Sequence, residues 1–469
     1  MNCKECLLCI IMLMVAFPSS AQDNLLGAPD IVPPATKEMQ NPAFWSSKID
    51  NPNRVVMTPS EIEDFNAKNR MRKLTRKDIN GNEIVVAPML MRTNFSGIFF
   101  HISNPLDVKT IPGAEITAHL EREKEFIVSS EHWDRRQILF PDWRKKEIAD
   151  ELNINTVPQT VAPRYGVTVR HTLSRNAPTH EKVYNGQYHW LDMYMNAVIE
   201  TNSPVAVLHA SKTGDWLFVR SDYSFGWVPA ENIAIGSAKK IRSITEADDF
   251  IVATGHKVPV YADRACSVWH GDLYMGARLR LKQADAANYT VVSPVRKPDG
   301  TVATINGYIK SDAPVTVGYQ SYTQRNVIET IFSLLGRPYG WGGSDNERDC
   351  VGTIRAVMRT FGIFTPRWTE FQLSCSDHVT TFPADTPITE KYRLLSQCEP
   401  GITVTGFDWH VLLYIGEVDG VHYVIHQNGF AYHDDKGDEL RVARVSVNHT
   451  ELEGGADIKR WTELSVFKK

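Results

Sequence analysis

With 469 residues, 42% of them hydrophobic and 23% charged, the chain has the make-up of a soluble globular protein long enough for several domains. A net charge of −4 and the lack of any basic block argue against a nucleic-acid partner. Seven cysteines are too few for a disulfide scaffold at this length.

Lys4, the apolar run from Leu7 to Phe17 and the small residues Ser19 to Ala21 read as a secretory signal peptide over 1–21. That run is too short to span a bilayer and no later stretch is apolar enough. The expected mature protein is therefore soluble, not stably inserted in a membrane, and either periplasmic or extracellular. Cleavage removes Cys3, Cys6 and Cys9 and leaves Cys266, Cys350, Cys375 and Cys398. No two of these have C-x-x-C spacing, so no metal is expected, and no motif calls for a cofactor. Cys375 and Cys398 could pair in an oxidising compartment.

Residues 22–160 read as a mainly helical N-terminal domain. In "MTPSEIEDFN", Thr58 can cap a helix, Pro59 suits its first turn and Glu61 completes a capping box; "NEIVVAPML" reads as a strand. From 161 the pattern changes to short β-runs split by turn residues. Two units, 161–238 and 239–320, each hold an early Pro-Val β-run (Pro204-Val205 and Pro259-Val260), a later β-run, and Gly-Trp-Val or Gly-Tyr-Ile near the end. Two small β-barrels are the economical reading, with Trp216 and Trp227 in the first barrel's core. Residues 321–469 change again: helix "QRNVIETIFSLLG", glycine-rich loop "RPYGWGGSDNERD", helix "CVGTIRAVMRTFG", then strands "WHVLLYIG" and "HYVIHQNG" around "EVDG". Helices followed by strands imply an α+β domain, and the whole chain a multidomain α+β protein.

Cys350 stands where the glycine-rich loop enters a helix. Unpaired N–H groups and the positive end of the helix dipole stabilise a thiolate there, which makes a nucleophile; the bland alternative is a small buried hydrophobe. A nucleophilic thiol needs a base. A hairpin turn centred near Val418 puts His410 and His426 directly opposite each other, about 5 Å apart on one face. His410 is then the base and His426 the group that orients it, with Asn428 the runner-up for the third position. A turn shifted by one residue spoils this facing.

"GRPYGWGGSDNERDCVGTIRAVMRTFGIFTPR" resembles the signature of the NlpC/p60-type cell-wall cysteine peptidases, and "HVLLYIG" and "VIHQ" resemble their second and third signatures. The three elements occur in the required order. "FWSSKID", "VVMTPSEIEDFN" and "RYGVTVRHTLSRNAPT" resemble a subgroup with an N-terminal stabilising domain and two bacterial SH3-like modules. The resemblance implies a papain-like α+β domain with Cys350 as nucleophile, His410 as base and His426 as orienter. It implies hydrolysis of the D-γ-glutamyl–diamino acid bond of murein (peptidoglycan) stem peptides. Asp349 matches the position that binds the free amine of the L-Ala end; read alone, it is a helix-cap charge. Tyr339 and Trp341 match the loop aromatics, Tyr339 as a possible oxyanion donor and Trp341 more as loop packing. Thr369 aligns with a downstream serine. Tyr223 is a candidate second amine ligand, although read alone it is a barrel tyrosine. Val351 replaces the serine common after the cysteine. The alternatives are a cell-wall binding protein with a vestigial peptidase, and an amidase or acyltransferase using the same thiol.

Overall fold

The fold is that of a computed structural model, which describes residue 32 and residues 34–71, 75–77, 83–85, 104–185, 191–407, 409–429, 431–433, 439–453 and 455–469. The signal-peptide reading at 1–21 lies outside them. Among the described residues no helix is long and apolar enough to cross a membrane.

Helix α1 (Pro59–Met71) starts as expected: the Thr58 N–H donates to Glu61 Oε2 at 2.9 Å and the Glu61 N–H to Thr58 Oγ1 at 3.4 Å. These two reciprocal bonds satisfy donors that the helix cannot satisfy internally. The N-terminal stretch serves two different places. Trp45, Met57, Ile62 and Phe65 share one apolar core with residues 322–467, and Val55 pairs with Thr323 across a short ladder. Helix α2 (Gly113–Ser129) instead lies on the first β-unit, burying Ile116, Leu120 and Ile127 against Leu208, Trp216, Phe218 and Trp227.

The first β-unit is one seven-stranded sheet from Arg164 to Gly236. Its strands include β1 (Met195–Ile199), β2 (Pro204–Ala210), β3 (Trp216–Arg220) and β4 (Phe225–Pro229). Its own interior holds Val205, Val207, Leu217, Val219, Val228 and Ile233. Trp216 and Trp227 are on the other face, so they are not the barrel core expected of them. They pack against α2, where Trp227 Nε1 donates to Glu123 Oε2 at 3.0 Å. Alternation explains the difference: neighbouring residues on a strand point to opposite faces, and here both faces are covered. The second unit is another seven-stranded sheet, Phe250 to Val317, around Ile251, Val258, Leu273, Leu279, Val291 and Ile309.

The last unit stacks helices α3 (Gln324–Phe332) and α4 (Cys350–Arg359), with the short α5 (Thr369–Leu373), on a six-stranded sheet. Three central strands are β5 (Thr403–Phe407), β6 (His410–Val418) and β7 (Val421–Asn428), flanked on the β7 side by β8 (Arg444–His449). Val351, Ile354 and Val357 of α4 share a core with Val404, Val411, Leu413 and Ile425. Among the described residues Cys375 and Cys398 do not form the disulfide considered for them.

Candidate active site

The glycine-rich loop is shaped by the first β-unit pressing on it. Gly342 and Gly343 have φ of +63° and +97°, which L side chains rarely adopt. A Cβ on Gly343 would overlap Val198 Cγ2 of β1. The loop thus runs close under β1 and delivers Asp349 and Cys350 to the start of α4.

Asp349 is buried and caps that helix: its Oδ1 accepts the Gly352 N–H at 2.8 Å and its Oδ2 the Gly342 N–H at 3.0 Å. Arg367 forms an ion pair with Oδ2 and donates Nε–H to Asn196 O at 3.1 Å. The cap reading is therefore present in full, and the carboxylate already has a cationic neighbour.

Cys350 is 5% exposed. Its thiol donates to Trp409 O at 3.7 Å, and the Val411 N–H steadies the thiolate form. The sulfur thus sits against the main chain on both sides of His410. Burial, aided by the Asp349 carboxylate, pushes the thiol up to about 12. This reverses the expectation of a thiolate at the helix start. The cap carboxylate takes the positive helix end, and burial disfavours the charged form by more than the nearby N–H groups favour it.

His410 opens β6 and is fully buried. One of its ring nitrogens, Nε2, is 2.7 Å from His426 Nδ1, and His426 Nε2 is 2.8 Å from Asn448 Oδ1. Ser446 Oγ donates to the same Asn448 oxygen at 2.7 Å. Burial, with His426 and Arg460 nearby, holds His410 well below the ordinary imidazole value; burial brings His426 to about 4, against the pull of Asn448. The two histidines meet, but not directly opposite each other. The hairpin closes at Val418↔Val421, and with a bulge between Tyr414 and Gly416 it continues as Leu413↔Ile425. His410 therefore meets His426 diagonally. Without the bulge the turn would put the two rings on opposite faces.

Cys350, Asp349 and Thr369 line one cleft of about 650 Å³. Trp341 lines it too, a role that loop packing alone did not suggest. Other walls come from α2 (His119, Glu123, Phe126) and from β1 and β4 (Met195, Asn196, Phe225). Tyr339 is half-buried and packs on Gly429, where an added Cβ would sit 2.8 Å from its ring. Burial and the nearby Cys350 and Asp349 raise its hydroxyl well above the usual phenol range, so it stays a proton donor.

Tyr223 does not line that cleft. It borders a second, water-sized cavity of about 30 Å³ beneath the loop, with Glu200 and Arg355, and Asp349 and Arg367 border this cavity too. Its hydroxyl donates to Glu200 Oε2 at 3.0 Å and the Arg355 guanidinium lies 3.3 Å above its ring. Asn428, the runner-up orienter, packs against Gly455. Reasoning from sequence missed Trp409, Arg367 and Asn448. Asn448 was reachable, because the alternation in "VSVNH" puts Ser446 and Asn448 on one face. The other two act through loops, where no period helps.

An SH3 domain of the SH3b1 type matches residues 184–229. No curated protein matches the sequence. Among solved structures, an NlpC/P60 endopeptidase from Photobacterium damselae subsp. piscicida is 16% identical, with a TM-score of 0.70 over 90% of this chain and 96% of that one. An NlpC/P60 family protein from Bacillus cereus ATCC 10987 is also 16% identical, with a TM-score of 0.46 over 65% of this chain and 100% of that one. The chain thus has the multidomain α+β fold of an NlpC/P60 endopeptidase, with an SH3b1-type module ahead of its papain-like domain.

Proposed function

We propose that the chain is an exported cysteine peptidase of peptidoglycan. It hydrolyses the D-γ-glutamyl–diamino acid bond of murein stem peptides and prefers a free N-terminal L-Ala. The observation that carries this is the constellation at the cleft: Cys350 Sγ against the main chain around His410, whose Nε2 is held by His426. In the reaction the sulfur attacks the γ-glutamyl carbonyl. With Nε2 engaged by His426, His410 takes the thiol proton on Nδ1. The diamino acid leaves as its amine, taking that proton, and water then releases the acyl group from the sulfur. A high thiol pKa and a neutral imidazole make this a general-base reaction starting from a neutral pair.

Asp349 is the proposed acceptor for the L-Ala ammonium, which shares the carboxylate with Arg367. Thr369 supports the same wall, Tyr339 donates to the oxyanion, and Tyr223 stiffens the floor beneath. Val351 makes the wall beside the sulfur apolar where a serine would offer a hydroxyl.

One digest tests the reading. The wild type cleaves L-Ala-γ-D-Glu-diaminopimelate, Cys350→Ala does not while unfolding at the same temperature, and the N-acetylated peptide is cut far more slowly. Full turnover by Cys350→Ala would exclude the mechanism. Equal rates on the acetylated peptide would exclude the amine role of Asp349. Binding to murein without turnover by the wild type would favour a wall-binding protein.

A further inference from the structure

Strands β5 and β6 are joined by a two-residue turn, since Phe407 pairs with His410 and only 408 and 409 lie between. Such turns favour Asp-Gly or Asn-Gly, because the central residues take positive φ. Here the second turn residue is Trp409, at φ +75°. This backbone region is strained for any side chain, and an indole is far bulkier than the residues usually tolerated there. Burial does not offset the strain, because Trp409 is 44% exposed, one of the large apolar side chains left on the surface.

What Trp409 does have is its location. Its carbonyl accepts the Cys350 thiol at 3.7 Å, and the residue lines the reactive cleft with Trp341, Trp368 and Phe126. The next residue is His410. A glycine would satisfy the turn and the carbonyl contact equally well, so the indole itself must serve something other than folding.

We infer that Trp409 is a substrate-contacting residue, whose indole forms an aromatic wall for the flat, uncharged scissile amide and the glutamyl methylenes beside it. The inference rests on the peptidase reading above and adds a specificity determinant to it. The same residue holds the resting thiol through its main chain and covers the reacting segment with its side chain. Stacking of an amide plane on an indole is the contact expected of a wall of this composition.

The test uses the full chain and two variants, Trp409→Gly and Trp409→Phe. Trp409→Gly should unfold at the same temperature or about 2 °C higher, because glycine relieves the positive φ. Its kcat/KM on L-Ala-γ-D-Glu-diaminopimelate should fall about 10-fold or more, mainly through KM. Trp409→Phe should recover most of that loss. Iodoacetamide alkylation of Cys350, which needs no substrate, should be several-fold faster in Trp409→Gly, as the wall beside the sulfur is gone. Unchanged kcat/KM in Trp409→Gly, a clear drop in its unfolding temperature, or unchanged alkylation would overturn the inference. A wild type that leaves the tripeptide intact would sink the substrate reading instead, and the stability and alkylation arms would still decide whether the indole walls the thiol.

Discussion

Cys350, His410 and His426 were legible as residue types in the right order, but their protonation was not. A helix-initial position argues for a thiolate, yet the thiol is pushed up to about 12 because burial and the Asp349 cap both oppose charge there. His426, at about 4, points the same way: the sulfur and the two imidazoles are held neutral. This has a consequence for stability. A histidine with a depressed folded pKa binds its proton more readily once unfolded, so stability is full above the ordinary value of about 6.5 and is lost as pH falls toward 4. His426 alone should cost the last unit on the order of 3 kcal/mol between pH 7 and pH 4. Urea unfolding at several pH values checks this, and His426→Gln should flatten the slope. An equally steep slope in that variant would move the effect to other groups.

At the scale of elements, the strands around the site were legible from alternation, but their register was not. A turn near Val418 puts the histidines face to face; the actual turn at Asp419 and Gly420 would have separated them, and the bulge at Ile415 restores the shared face. A bulge leaves no mark in a hydrophobic pattern, because it inserts a single residue. The glycine-rich loop shows a similar split. Its glycines were legible as a loop, but the reason for Gly343 is the side chain of Val198, about 145 positions earlier in the chain. Gly343→Ala combines a positive φ with an overlap on that side chain. It should cost roughly 3 kcal/mol and shift the loop off β1. Thermal unfolding with an assay of cleavage checks this, and an unchanged midpoint with full activity would show that the loop can yield.

At the scale of the molecule, the first β-unit is bolted to α4, the helix that Cys350 opens. Glu200, at the end of β1, takes Arg355 of α4 at 2.6 and 3.0 Å, both side chains being buried, while Asp222 takes Arg359 at 3.0 Å. Tyr223 stacks in the same joint, which explains why it lies under the site rather than in the cleft. Removing one partner of a buried pair leaves the other charge without compensation, a loss of about 3–5 kcal/mol. Glu200→Ala should therefore loosen the β-unit from α4 and lower any cleavage activity, although Glu200 does not line the cleft that holds Cys350. Limited proteolysis between the two units, alongside cleavage rates, checks it. Wild-type resistance and rates in Glu200→Ala would mean that the other contacts hold the joint unaided.

Local chemistry was enough to find the capping box at Thr58, the alternating strands, the helix that starts at Cys350 and the two histidines of the last hairpin, because each depends on neighbours a few positions away. The diagonal meeting of His410 and His426, the burial that keeps Cys350 protonated, the Arg367 partner of Asp349 and the placing of Trp216 and Trp227 beneath α2 depend on groups from 16 to about 100 positions apart. Periodicity shows which side of a strand or helix is apolar. Which distant surface comes to cover it, and what field that surface imposes, arises only when the units pack.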